Sequence, residues 1–158
     1  LQQSWSVSST FDRLIWVRSV DGCRKSWTFD MKILILGAGG IGGYFGAQLL
    51  KVGADITYLL RPGRKKQMDG HGLNVETPSG SFVVHPQTVT ADTVRPEYDL
   101  ILLTAKSYDL DDALQSLSGA LGRGVVLPLL NGLDHLERLD QVLGPSVCWV
   151  AWRTSPPP

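Results

Sequence analysis

The feature that most constrains this chain is a glycine-dense turn set directly behind an apolar run. Lys32-Ile33-Leu34-Ile35-Leu36 leads at once into Gly37-Ala38-Gly39-Gly40-Ile41-Gly42, and seven glycines fall between positions 37 and 53. An apolar run of that length, bounded by glycine, reads as a buried parallel strand. Behind it Ile41, Phe45, Leu49 and Val52 recur at helical spacing, with Gly53 placed as a C-terminal stop. Strand, G-x-G-x-x-G and helix in that order make a dinucleotide-binding turn. Gly37 permits the tight bend, Gly39 lets the backbone approach a pyrophosphate, and Gly42 lets the helix pack close on the strand. Amides of the turn, from Gly37 and Ala38 through Gly40 and Ile41, then face the phosphates, helped by the positive end of the helix dipole. Two rivals exist: a merely structural turn, and the glycine loop of a methyltransferase. The full three-glycine spacing and the next feature stand against the second.

That feature is the end of the following apolar run. Residues 56–60 read as a second strand, and Arg61 closes it about 20 residues beyond the turn. An NAD site would carry Asp or Glu there, accepting from both ribose hydroxyls. Here Arg64, Lys65 and Lys66 follow Arg61, and no carboxylate lies between Arg61 and Met68. A guanidinium pairs bidentately with a phosphate that a carboxylate would repel. The pattern predicts NADP(H) over NAD(H), with Arg61 on the 2′-phosphate. The competing reading is a solvated basic loop.

Strands and helices continue to alternate. Residues 62–72 carry a short helix, and 73–76 with 81–85 form a small hairpin around Pro78-Ser79-Gly80. Residues 99–104 read as a buried strand. Asp109 caps a helix reaching 121, with Asp111 and Asp112 in its first turn, where the dipole favours anions. A strand at 124–130, a helix at 134–143 and a last strand at 147–152 complete the pattern. Such alternation forces right-handed crossovers and a parallel sheet covered on both faces. Two positions then fall beyond strand carboxyl ends, where open parallel sheets bind ligands: Lys106 and Asn131. Lysine there meets a phosphate, ribose or substrate carboxylate, and asparagine can bridge ribose and substrate oxygens. Equally, Asn131-Gly132 is a plain turn pair, and Lys106 can simply be exposed.

Composition closes off other classes. The 158 residues carry fifteen basic and fifteen acidic side chains, so the charge footprint of a nucleic-acid binder is missing. Apolar runs are far shorter than the ~18 residues of a membrane helix. Cys23 and Cys148 are too few for a disulfide scaffold, and no His or Cys spacing points to a metal. A reduced, cytoplasmic, soluble domain is expected. Residues 1–30, with three of the five tryptophans and six serines, show no sustained period and read as an atypical, poorly ordered extension. The natural start is then Met31, the organised domain spans 31–152, and 153–158 is a divergent proline-rich tail.

Together, the glycine turn, Arg61-Pro62, Gly72-Leu73, Thr104-Ala105-Lys106 and Leu130-Asn131-Gly132 resemble the N-terminal domain of the ketopantoate reductases (2-dehydropantoate 2-reductases) over about 31–154. The resemblance implies a Rossmann-type doubly wound α/β sheet. It also implies NADPH-dependent reduction of 2-dehydropantoate to pantoate, on the way to pantothenate and coenzyme A. Arg61 would then meet the NADPH phosphate, while Lys106 and Asn131 line the cofactor and substrate cleft. Family members continue into a helical C-terminal domain that carries the general-acid lysine, which this chain lacks. Cys148-Trp149 also departs from the family's glycine pair. Two readings follow: the cofactor half of a reductase of ketopantoate or a related 2-keto acid, and a truncated dinucleotide-binding module without turnover. Apolar surface left bare by the missing domain would favour self-association.

Overall fold

The computed structural model describes residues 31–78, 80–130 and 134–144. Residues 1–30, Asn131, Cys148 and the strand expected at 147–152 lie outside them.

Strand β1 (Lys32–Leu36) is buried from Ile33 onward on both faces, which is why its apolar run is continuous rather than alternating. It pairs in parallel with β2 (Asp55–Leu59) on one side and β6 (Leu100–Leu103) on the other. β5 (Gln87–Val89) adds to the outer side of β2, and β7 (Val125–Pro128) to the outer side of β6. The described sheet therefore runs β5-β2-β1-β6-β7. The chain builds outward from β1 to β5, then crosses back and builds outward again from β6. Its direction reverses between β1 and β6, the place where doubly wound sheets open a crevice. A separate antiparallel hairpin joins β3 (Leu73–Thr77) to β4 (Gly80–Val84).

Helices cover the two faces unequally. On one face Leu34, Leu36, Leu59, Ile101, Leu103 and Val126 pack under α3 (Leu110–Leu117) and α4 (Asp134–Leu143), which bury Leu114, Leu117 and Leu139. On the other, Ile33, Ile35, Ile56 and Tyr58 meet α1 (Gly40–Lys51), α2 (Pro62–His71) and the hairpin through Ala47, Met68, Leu73 and Val75.

Four features depart from the sequence expectation. The stripe Ile41, Phe45, Leu49, Val52 is not the buried face of α1: Phe45 is 52% and Val52 62% exposed, while Gly42, Gly43, Gly46 and Ala47 are buried. Close approach to the sheet selects small residues, which a hydrophobicity period does not register. Phe45 and Leu49 instead border an open apolar trough with Leu100, Leu102, Leu127 and Leu129. α3 ends at Leu117 rather than 121, short of Gly119, a poor helix former. β5, beginning after Pro86, is too short to show a period. Asp109 occupies the N-cap position of α3 without a side-chain cap hydrogen bond: it ends a 3-10 turn (Ser107–Asp109) with φ −101° and ψ 9°, not the extended backbone usual at a cap.

Candidate functional site

β1 and β6 end side by side at the reversal point. The chain leaving β1 turns at Gly37, whose φ of +99° suits a residue without a Cβ. Thr104, the first residue after β6, fixes this turn. Its Oγ1 lies 2.8 Å from the Leu36 carbonyl oxygen and 3.0 Å from that of Gly37, and its amide donates to Leu36 at 3.1 Å. Replacing Thr104 with valine keeps the shape and removes the donor. We expect a loss of about 1–3 kcal/mol, read by denaturant unfolding.

The start of α1 is clamped from two sides. A Cβ on Gly42 would run into the Gly37 carbonyl oxygen and Thr104 Oγ1, so no larger residue fits without moving the backbone. Tyr58 of β2, fully buried, donates its hydroxyl to the Gly42 carbonyl oxygen at 3.0 Å. Burial pushes the Tyr58 phenol well above its ordinary value, so it remains a protonated donor. A side chain on Gly46 would strike that same hydroxyl.

Gly39 and Gly40 are the opposite case. A Cβ on either would meet nothing within 4 Å. Gly39 is the N-cap of α1 in extended backbone (φ −81°, ψ −164°), with no side-chain cap and no acidic residue in the first turn. The first N–H groups of a helix have no intrahelical acceptor. Here Gly39, Gly40 and Ile41 are exposed, at the positive end of the helix dipole. Ala38 is half-buried and Ile41 is exposed at the rim.

Beside this cradle lies a cleft of about 310 Å³, bordered among others by Gly37, Ala38, Leu60, Arg61, Asp109 and Asp112. Arg61, the N-cap of α2, reaches across it. Its Nη2 sits 3.3 Å from Asp109 Oδ1 and 3.5 Å from Asp112 Oδ2, with the side chain 72% exposed. Arg64 lines the same cleft and bonds Gln67 at 2.6 Å. Lys65 is directed away, donating to Asp69 at 2.7 Å and Thr88 at 2.8 Å and so tying α2 to β5. Lys65 and Thr88 together hold the Asp69 carboxyl below its usual range.

The structure thus brings Gly37, Ala38 and Arg61 to one cleft, with Gly39, Gly40, Ile41 and Gly42 at the adjoining helix start. Lys106 is exposed beyond β6, its Nζ 5.6 Å from the Tyr108 ring centroid, and does not border the cleft. Asn131 is outside the described residues. Sequence reasoning missed Thr104 as the latch on the turn. It also missed the carboxylates on Arg61, which come from positions 48 and 51 residues later. Only the position of Thr104 at a strand end hinted at a role. Nothing local pairs Arg61 with α3.

The parallel strand order, the glycine turn at the reversal point and the cleft beside it define a Rossmann-like α/β domain. Comparison with known proteins narrows this. The chain belongs to the ketopantoate reductase PanE/ApbA family, whose model matches residues 33–155. The family is one of oxidoreductases. A 2-dehydropantoate 2-reductase of Pyrococcus horikoshii is 37% identical over 114 residues, covering 72% of this chain and 37% of that protein. The crystal structure of 2-dehydropantoate 2-reductase from Porphyromonas gingivalis matches with TM-score 0.64 and 33% identity, over 75% of this chain and 45% of that one. A D-mandelate dehydrogenase solved with NADH and anilino(oxo)acetate matches with TM-score 0.67 and 28% identity, over 75% of this chain and 39% of that one. The chain spans about two fifths of the length of the curated relatives it matches. Among the described residues, no helix is long and apolar enough to cross a membrane.

Proposed function

We propose that this chain is the cofactor-binding half of an NADPH-dependent 2-keto acid reductase, with 2-dehydropantoate as the substrate reduced to pantoate. The observation that carries this reading is the open cradle at Gly39 and Gly40, facing the start of α1 and adjoining the cleft that Arg61 spans. Family membership and the reductase names of its relatives support the reaction class.

In this reading the α1 amides hold the diphosphate, and the bare Cα of Gly39 leaves room for it. Arg61 would pair with the adenosine 2′-phosphate, for which a guanidinium is suited. Lys106 and Asn131 would serve the substrate, as the resemblance to the family implies. NADPH supplies the hydride that reduces the keto carbon. No residue of this chain is assigned as the general acid.

Titration of nicotinamide fluorescence tests the cofactor. NADPH is expected to bind about tenfold more tightly than NADH, consistent with a charge-assisted hydrogen bond to phosphate. Arg61→Ala should weaken NADPH roughly ten- to a hundredfold and leave NADH nearly unchanged. Equal wild-type affinities would overturn the assignment. A second reading, NAD(H), is favoured by Asp109 and Asp112 in the cleft and by the NADH bound to the mandelate dehydrogenase neighbour. It requires NADH to bind more tightly. A steady-state assay with 2-dehydropantoate then separates a turning-over reductase from a binding module.

A further inference from the structure

Arg61 is not a free cation in the cleft. Its Nη2 is shared between Asp109, at the N-cap of α3, and Asp112, in that helix's first turn. Both carboxylates border the cleft together with Arg61. Asp109 makes no cap hydrogen bond to its own helix, and its Oδ1 lies 3.3 Å from the guanidinium. We infer that Asp109 and Asp112 are specificity-setting residues that hold Arg61 captive and thereby restrain the site's preference for a 2′-phosphorylated adenosine. This rests on the reading of the cleft as an adenosine site.

The physics is a competition for one guanidinium. A 2′-phosphate entering the cleft must displace Nη2 from at least one carboxylate, or share Arg61 with both. Whichever happens, a multiply charged anion comes to rest near two unit negative charges. An adenosine with an unmodified 2′-hydroxyl meets neither cost, and a carboxylate can accept from that hydroxyl. The pairs are exposed, so each is individually weak and screened by salt. Acting together on one side chain, they set the degree of discrimination rather than its existence.

The test uses the 158-residue chain and two probes that differ only at the 2′ position, 2′,5′-ADP and 5′-AMP, titrated calorimetrically at low salt. In the double variant Asp109→Asn/Asp112→Asn, 2′,5′-ADP is expected to tighten roughly three- to thirtyfold, and the gain to shrink in high salt. Binding of 5′-AMP should not tighten, and a thermal melt like that of the wild type reports an intact fold. In an Arg61→Ala background the same two substitutions should give a clearly smaller gain, because no captive guanidinium is released. Unchanged 2′,5′-ADP affinity in the double variant would overturn the inference, and so would a gain equally large without Arg61. If the double variant does not melt cooperatively, Asp112→Asn alone carries the test with the same expected direction. Failure of the wild-type chain to bind either probe is a separate result: it would defeat the adenosine reading itself and the inference with it.

Discussion

Gly42→Ala is expected to destabilise the domain by about 2–4 kcal/mol, lowering Tm by roughly 10 °C or more, and to abolish nucleotide binding with it. Alanine in a helix interior ordinarily gains about 1 kcal/mol over glycine, so the expected sign needs an argument. The added methyl would meet the carbonyl oxygen of Gly37 and the hydroxyl of Thr104. Neither is the movable end of a flexible chain. The carbonyl belongs to a turn held at positive φ, and the hydroxyl is itself fixed between two carbonyl oxygens. Relief would require α1 to lift from the sheet, breaking the bond from Tyr58 to the Gly42 carbonyl oxygen. Thermal unfolding followed by circular dichroism reads the effect. A Tm equal to that of the wild type would show that α1 and the turn have room for the added methyl.

Gly39→Val should do the reverse: cost the fold only the roughly 1 kcal/mol of a poorer N-cap and weaken dinucleotide binding by about a hundredfold or more. Gly39 has ordinary extended dihedrals, and a Cβ there meets no protein atom within 4 Å. No protein atom therefore obstructs a Cβ at this position, and the cost to the fold is that of a poorer N-cap. A branched side chain would, however, occupy the space over the α1 amides that a diphosphate needs. Nicotinamide fluorescence and thermal melting of the same sample give both quantities. Full binding by this variant would sink the proposed cradle even if the fold were confirmed. The two substitutions lie three positions apart in one motif, yet they separate a glycine required for packing from one proposed to serve a ligand.

Much of this was legible in the chain. Continuous apolar runs at β1 and β6 announced strands buried on both faces, and the glycine turn located the junction of β1 and α1. What misled was α1, where the apolar period pointed to Ile41 and Phe45 while glycine and alanine form the buried face. Hydrophobicity measures what a residue gains by leaving water; it does not measure how near two backbones must come. Arg61 shows the same limit in electrostatics. Reading along the chain, no carboxylate follows it before Met68, so its charge looked uncompensated. In space, Asp109 and Asp112 are its partners.

The sequence by itself determined the alternation of strands and helices, the place of the tight turn and the parallel sheet, because these depend on periods and on residues with unusual backbone freedom. Tertiary structure alone decided which glycine faces protein and which faces solvent, that Thr104 latches the turn, and that α3 lends its acids to Arg61. Those outcomes depend on distances between segments far apart in the chain, and such distances exist only once the sheet has brought the ends of β1, β2 and β6 to a common edge.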